Sequence, residues 1–158
     1  MSPLQRIFTI IIVVFFLIGF SIAAGCTSPA KSSTSTPGVA SYNSTVERVE
    51  VFHFHRTQQC PSCIAIGNLT EKTLKANFQK ELASGRLVFA HVGYELPENA
   101  ALAAKYGVTG SSLWIGVYDA NGFHNEENIK VWYLISNKDA YSTYLTDLIA
   151  KRLTGDFS

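Results

Sequence analysis

Segments with a strand-type pattern and segments with a helix-type pattern of apolar residues take turns along the C-terminal two-thirds of the chain. Residues 49–55 are rich in β-branched and aromatic side chains, which is typical of a strand. Residues 64–82 instead repeat apolar side chains near helical spacing, which predicts a helix. The apolar positions of this helix are Ile66, Leu69, Leu74, Phe78 and Leu82. Gly85 then favours the end of the helix.

The rest of the chain continues this alternation. Further predicted elements are a strand at 86–92, a helix at 98–106, strands at 113–118 and 129–135, and a helix at 140–153. Gly107 ends the shorter helix, and Asn121-Gly122 predicts a turn between the last two strands. Asn137 or Asp139 caps the final helix. The order β-α-β-α-β-β-α predicts an α/β fold with a central mixed sheet and helices on both faces.

The first part of the chain has a different character. Residues 7–24 carry no charge, follow Arg6 and end in small residues just before Cys26. This order is that of a secretory signal, and the residues before Cys26 are similar to a lipobox, in which the cysteine is acylated. An uncleaved membrane anchor stays open, because 18 apolar residues reach the lower limit for a membrane span. We predict that residues 1–25 are a signal peptide or anchor, and that the protein lies at the extracytoplasmic face of the membrane, lipid-anchored through Cys26.

Composition then separates a tether from the folded part. Residues 26–45 are rich in Ser, Thr and Pro, which predicts a flexible tether because such a stretch buries too little apolar surface to fold. Residues 46–158 remain as one domain. The whole chain has 13 basic and 12 acidic residues, a net charge of +1. This balance gives no reason to expect a nucleic-acid partner.

The candidate chemistry lies in the motif Cys60-Pro61-Ser62-Cys63, which holds the only cysteines after residue 45. Pro61 suits the first position of a helix, which places Cys60 at the N-cap. The unpaired N–H groups and the dipole at that end of the helix lower the pKa of a thiol. We therefore expect Cys60 to be the nucleophile and Cys63, one turn further on, to resolve the mixed disulfide.

Other functions of the two cysteines have less support from the sequence. A disulfide across two residues closes too short a loop to stabilise the fold much. A structural zinc site lacks a second ligand pair downstream. A transient soft-metal site stays open, because Cys60, Cys63 and His55 would suit Cu(I). His53 lies on the same strand face as His55, and His91 belongs to the next predicted strand.

The chain resembles the thioredoxin-like superfamily over residues 46–153. The resemblance rests on a strand that leads into the motif 60–63 at a helix start, and on the segment 105–110 before another strand. Within that superfamily it looks like a small group encoded beside aromatic arsenical efflux permeases and labelled nitrophenyl-compound nitroreductase subunits. The segments that carry this finer resemblance are 54–60, 70–74 and 108–110. The resemblance implies a thioredoxin-like fold and dithiol-disulfide exchange with a redox partner protein or a disulfide substrate.

One position departs from the thioredoxin pattern. Thioredoxins usually have a cis-proline opposite the cysteine pair, and Ser112 stands in the matching place here. In that superfamily the proline loop positions the backbone that pairs with a bound peptide and discourages metal from bridging the thiols. Ser112 therefore disfavours general protein-disulfide activity and favours a metal or a specialised partner.

Three functions stay open at this point. The leading hypothesis is an exported, membrane-tethered thiol-disulfide oxidoreductase that has no bound cofactor. The second is a carrier of a soft metal or metalloid, such as Cu(I) or arsenite, on the same thiols. The third is an electron-donating subunit of a larger reductase, with any flavin or nicotinamide on a partner because the chain has no fingerprint for either. Exposure of Trp114, Trp132 or Tyr133 beside the cysteines would indicate a docking face.

Overall fold

A computed structural model describes residues 46–158. The predictions for residues 1–25, for the tether and for Cys26 lie outside the described residues. Within residues 46–158, no helix combines the length and the apolar character that a membrane span requires.

The described residues form strands, α-helices and two short 3-10 helices. The strands are β1 (Arg48–His55), β2 (Leu87–Gly93), β3 (Ser112–Asp119) and β4 (Gly122–Glu127). The α-helices are α1 (Pro61–Asn77), α2 (Gln79–Ser84), α3 (Ala100–Tyr106) and α4 (Lys138–Leu153). The 3-10 helices are Pro97–Asn99, just before α3, and Ile129–Tyr133, between β4 and α4.

The strands make one sheet with the order β2-β1-β3-β4. β1 and β2 are parallel, whereas β3 runs antiparallel to both β1 and β4. Parallel neighbours need a crossover connection, which α1 and α2 supply, and the antiparallel pair β3–β4 needs only a tight turn. This strand order and pairing, with helices on both faces, is an α/β thioredoxin-like fold, so the predicted fold class is confirmed.

The two faces of the sheet bury different sets of side chains. On β1 the alternation of a strand sends Val49 and Val51 toward α1 and α4, and Phe52 and Phe54 toward α3. The core on the α1 side includes Ile66, Leu74, Leu113, Ile115, Tyr141, Leu145 and Ile149. The core on the α3 side is smaller and consists of Phe52, Phe54, Val92, Ala103 and Tyr106. A fully buried leucine or isoleucine contributes about 1.5–3 kcal/mol to stability, so the larger core holds α1, and with it the cysteine motif, in place.

The predicted strand at 129–135 is wrong. The chain there forms the 3-10 helix Ile129–Tyr133, because the side chain of Asn128 accepts a hydrogen bond from the N–H of Val131 at 3.3 Å and turns the backbone. The partner of β3 is instead β4, which lay in the predicted loop. β4 is an edge strand with mostly polar, exposed side chains, so it lacks the apolar alternation by which strands are recognised.

The long helix predicted over 64–82 is divided into two helices in the structure. It begins at Pro61, the first helical position that the cysteine motif predicts, ends at Ser84 and is divided at Phe78 into α1 and α2. Phe78 leaves helical geometry, with φ −128° and ψ 38°, while its N–H still bonds the carbonyl of Leu74. Its side chain is buried in the core on the α1 side, so the break turns an aromatic ring inward.

Candidate active site

Cys60 is the N-cap of α1, as the sequence predicts. Its backbone is extended, with φ −75° and ψ 158°, and Pro61 stands at the start of the helix. The Sγ atom of Cys60 accepts a hydrogen bond from the N–H of Cys63 at 3.1 Å. The sulfur therefore uses one of the N–H groups that a helix N-terminus leaves without a backbone partner. Ser62 completes the turn and is half-buried.

Cys60 and Cys63 are joined in a disulfide, with their Cα atoms 5.1 Å apart. The two residues differ in exposure, because Cys60 is exposed whereas Cys63 is 7% exposed. A partner molecule can therefore reach Cys60 more easily than Cys63. The division into an attacking Cys60 and a resolving Cys63 stays a prediction.

The loop between β1 and α1 is held by the loop that follows β2. Arg56 donates from Nε to the hydroxyl of Tyr94 at 2.8 Å, and its guanidinium lies 3.7 Å from the carboxylate of Glu95. The N–H of Thr57 donates to the same carboxylate at 3.0 Å, and the N–H of Tyr94 donates to the carbonyl of His55 at 3.1 Å. The bond to Tyr94 raises the pKa of Arg56. Sequence reasoning missed Tyr94 and Glu95, since only the strand pairing brings them here.

Three imidazoles lie under the first turns of α1. His53 and His91 are directly paired across the parallel strands β1 and β2, and their Nδ1 atoms are 3.1 Å apart. The ring of His55 is centred 5.4 Å from that of His53 and 6.4 Å from that of His91. The expectation that His53 and His55 share a sheet face, with His91 on a neighbouring strand, is thus confirmed.

His53 is the buried member of this cluster, with 1% of its surface exposed. The pKa of His53 is lowered from 6.5 to about 4, first by burial and then by the neighbouring rings of His91 and His55. A main-chain hydrogen bond with Cys63 acts in the opposite sense and raises the pKa, because it favours a proton on the His53 ring. His53 is therefore neutral at ordinary pH.

Gly67 makes room for the two histidines. A Cβ atom at this position would lie 2.6 Å from Nδ1 of His53 and 2.8 Å from Cε1 of His91, closer than real atoms approach. A glycine inside a helix costs about 1 kcal/mol of stability relative to alanine. The sequence keeps it here because the imidazole pair occupies the space of the missing side chain. Sequence reasoning missed Gly67, although a lone glycine in a helical pattern was a visible signal.

His55 differs from its neighbours in its hydrogen bond. Its Nδ1 lies 2.9 Å from the carbonyl oxygen of Arg56, so Nδ1 carries a proton and donates it. Residues 46–158 contain no group of three or more His, Cys, Asp or Glu side chains arranged to hold a metal ion. Both sulfurs of the soft-metal site suggested for Cys60, Cys63 and His55 take part in the disulfide.

Ser112 begins β3 and is buried. It pairs with Phe54 of β1, at the end of the sheet from which the chain runs to Cys60. Its hydroxyl accepts a hydrogen bond from Nε1 of Trp114 at 2.7 Å. No cis peptide bond occurs within residues 46–158.

The three aromatic residues considered for a docking face differ in their exposure to solvent. Trp114 and Trp132 are half-buried against the two cores, whereas Tyr133 is 79% exposed at the end of its 3-10 helix. Ile64, the residue after Cys63, is also exposed. Of the three candidates, Tyr133 alone is exposed.

Solved thioredoxin structures resemble the chain. The solution structure of a thioredoxin from Thermus thermophilus matches over 66% of this chain and 75% of that chain, with 22% identity and a TM-score of 0.43. The first two thioredoxin domains of Naumovozyma dairenensis Eps1p match over 73% of this chain and 41% of that chain, with 16% identity and a TM-score of 0.40. The sequence matches no protein-family model and no curated protein. The thioredoxin-like fold is assigned from the strand order and pairing described above.

Proposed function

We propose that residues 46–158 act as a thiol-disulfide oxidoreductase that cycles between the Cys60–Cys63 disulfide and two thiols. The observation that carries the proposal is the position of the pair, an exposed Cys60 at the N-cap of a 17-residue helix, bonded to a buried Cys63. The helix N-terminus favours an anion, so reduction leaves the thiolate on the cysteine that a partner can reach.

The exchange proceeds in two steps. The Cys60 thiolate attacks one sulfur of a partner disulfide, forms a mixed disulfide and releases the other sulfur as a thiolate. Cys63 then loses its proton and attacks Sγ of Cys60, which closes the disulfide and releases the second partner thiolate. Two electrons pass from the domain to the partner, and the reverse sequence oxidises a partner dithiol.

A redox titration tests this function. The full-length chain in detergent is equilibrated with glutathione buffers of graded ratio, and the fraction of free thiol at Cys60 and Cys63 is read by alkylation and mass. We expect one reversible two-electron transition, absent from both Cys60→Ser and Cys63→Ser. Its midpoint decides whether the domain serves as an oxidant or a reductant. A wild-type chain without a reversible transition would contradict the proposal.

The same preparation tests the soft-metal alternative. The finer sequence resemblance, to proteins encoded beside arsenical permeases, makes arsenite and Cu(I) the natural probes, because both prefer thiolate ligands. Stoichiometric binding that needs both cysteines, without a reversible disulfide transition, would favour the carrier function. The role of an electron-donating subunit stays a prediction, and it requires the same transition together with a partner reductase.

We further propose that the domain acts outside the cytoplasm and is tethered to the membrane there. The support is the uncharged segment 7–24 followed by Cys26, and a compartment outside the cytoplasm is also where a disulfide persists. Metabolic labelling with an alkyne fatty acid should mark the wild-type chain and not Cys26→Ser. An unlabelled chain that still sediments with membranes would instead indicate an uncleaved anchor, and an unlabelled soluble chain would contradict tethering.

A further inference from the structure

The loop that leads from β1 to the nucleophile has little backbone support of its own. β1 ends at His55 and α1 begins at Pro61, so residues 56–59 belong to neither element. Within the part of the chain that the structure describes, no backbone–backbone hydrogen bond reaches residues 56–59. Side chains must therefore fix this loop, and with it the approach of the chain to Cys60.

Glu95 provides a side chain that holds the main chain of this loop. Its Oε2 accepts a hydrogen bond from the N–H of Thr57 at 3.0 Å, which is a charge-assisted contact between a carboxylate and the backbone. Its Oε1 lies 3.7 Å from Nε of Arg56, too far for a hydrogen bond, and Arg56 donates instead to the hydroxyl of Tyr94. The other bond to the loop backbone, from His55 to the carbonyl of Arg56, lies one residue further from Cys60.

The turn that carries Glu95 is fixed to the sheet. The N–H of Tyr94 donates to the carbonyl of His55 at 3.1 Å, and the side-chain amide of Asn99 donates to the carbonyl of Gly93 at 3.0 Å. Gly93 is the last residue of β2, so the position of the carboxylate follows from the pairing of β1 with β2. The hydrogen bond to Thr57 therefore ties the loop to the sheet.

We propose that Glu95 is a positioning residue for Cys60, whose sulfur it keeps at the N-terminus of α1 by holding the loop at Thr57. Thr57 stands three residues before Cys60, so a fixed Thr57 confines the Cα of Cys60 to within about 11 Å of its own. In the disulfide the bond to Cys63 also holds Cys60, whereas after reduction only the loop and the helix hold it. A loop released at Thr57 would let the sulfur leave the N–H of Cys63, which it contacts at 3.1 Å. The inference rests on the proposed disulfide exchange, because the thiolate favoured at that position is the attacking group.

The hydrogen bond and the charge of Glu95 act on Cys60 in opposite directions. A nearby carboxylate disfavours a thiolate, so the charge by itself makes Cys60 less reactive. The hydrogen bond favours the thiolate, because it keeps the sulfur at the helix N-terminus. Glu95→Gln removes the charge and keeps an acceptor oxygen for Thr57, whereas Glu95→Ala removes both. The two variants therefore separate positioning from charge.

Alkylation by iodoacetamide measures how much of Cys60 is thiolate. The full-length chain in detergent is reduced, and the rate of modification at Cys60 is read by peptide mass from pH 5 to pH 9. Below the midpoint of this pH profile, we expect Glu95→Ala to react about 5-fold more slowly than Glu95→Gln, the factor that one hydrogen bond contributes. Glu95→Gln should react at least as fast as the wild type. The matched control is Glu98→Ala, which removes an exposed carboxylate from the same connection between β2 and α3 and should leave the profile unchanged.

Equal alkylation rates for Glu95→Ala and Glu95→Gln would overturn the positioning role, because the charge alone would then explain both. Should Glu95→Ala lose its fold by circular dichroism, Glu95→Asp decides instead. It keeps the charge but shortens the side chain, so it should react more slowly than the wild type, and an unchanged rate would contradict the proposal. The redox titration of the wild type separates the two failures. A missing transition contradicts the oxidoreductase function, whereas equal alkylation rates beside an intact transition contradict only the role of Glu95.

Discussion

The two faces of the sheet each bury a polar cluster on β1, and the clusters are built in opposite ways. On the α3 side the carboxylate of Glu50 is surrounded by donors. Tyr106 donates at 2.7 Å and Tyr118 at 3.0 Å, both to Oε2, and Arg48 lies 2.9 Å from Oε1. On the α1 side His53 has the ring of His91 as its hydrogen-bond partner. One cluster surrounds a buried carboxylate with donors, whereas the other consists of paired imidazoles.

The two clusters also respond differently to pH. Burial and the Glu50 carboxylate raise the pKa of Tyr106, so its hydroxyl stays a donor at every ordinary pH. Lys105 and Arg48 also lie over the ring of Tyr118, which closes the cluster with cations. The histidine cluster instead lies beneath the cysteine turn. The pKa of His53 there is lowered to about 4, so this cluster takes up protons as the pH falls.

The largest expected effect on the free energy of unfolding comes from the Glu50 cluster. Glu50→Ala should lower the free energy of unfolding by about 3 kcal/mol, because the hydroxyl of Tyr106 and the guanidinium of Arg48 lose their partner. Urea unfolding followed by circular dichroism measures the change. Glu98→Ala, on the exposed surface, is the control and should change stability by less than about 0.5 kcal/mol. A small effect at Glu50 would mean that the cluster is not structural.

The next effect is an acid dependence confined to the histidine side. The pKa of His53 is lowered from 6.5 in the unfolded chain to about 4 in the fold, so between these values the unfolded state binds more protons. Stability from this group is complete above about pH 6.5 and is lost as the pH falls toward 4. The loss is at most about 3 kcal/mol.

Comparison with a variant isolates this loss from the carboxylates that titrate in the same range. Urea unfolding at a series of pH values should show a smaller fall between pH 7 and 4 for His53→Gln than for the wild type. His124 is exposed on the edge strand β4, so the stability of His124→Gln should change with pH as that of the wild type does. Identical curves for His53→Gln and wild type would show that His53 does not titrate as its burial requires.

A third effect concerns the space between α1 and the histidines. Gly67→Ala would ordinarily stabilise a helix interior by about 1 kcal/mol. Here the added Cβ would lie 2.6 Å from Nδ1 of His53, so we expect a loss of about 1–3 kcal/mol instead. Thermal unfolding gives the sign. Asn68→Ala, on the exposed side of the same helix, should not destabilise, and a stabilised Gly67→Ala would show that the rings can move aside.

The sequence predicted what local patterns determine. The strand β1, the N-cap position of Cys60 and the left-handed end of α3 at Gly107 each follow from residues within a few positions of one another. β4 was missed because an exposed edge strand needs no apolar alternation, and its residues are mostly polar. The apolar residues of the next segment predict a strand, but the N-cap at Asn128 makes a 3-10 helix there.

The candidate site was predictable in part for the same reason. The cysteine pair is local, but the contact of His53 with His91 depends on the register of two strands 38 residues apart in sequence. The bond from Tyr106 to Glu50 spans 56 residues and joins a helix to a strand. No pattern in a single sequence records such a register. The two polar clusters could therefore be recognised only from the structure.

The smallest expected effect on stability comes from removing one of the two hydroxyl donors to Glu50. Tyr118→Phe removes one of the two hydroxyl donors to Oε2 but leaves Tyr106 and Arg48 in place, so we expect a loss of about 1 kcal/mol. Tyr106→Phe should lose more, because that hydroxyl is fully buried and its bond is shorter. Urea unfolding of both variants and of the double variant gives the coupling between the hydroxyls. Equal losses of unfolding free energy would mean that the buried hydroxyl of Tyr106 contributes no more than that of Tyr118. Burial would then not set the strength of these hydrogen bonds.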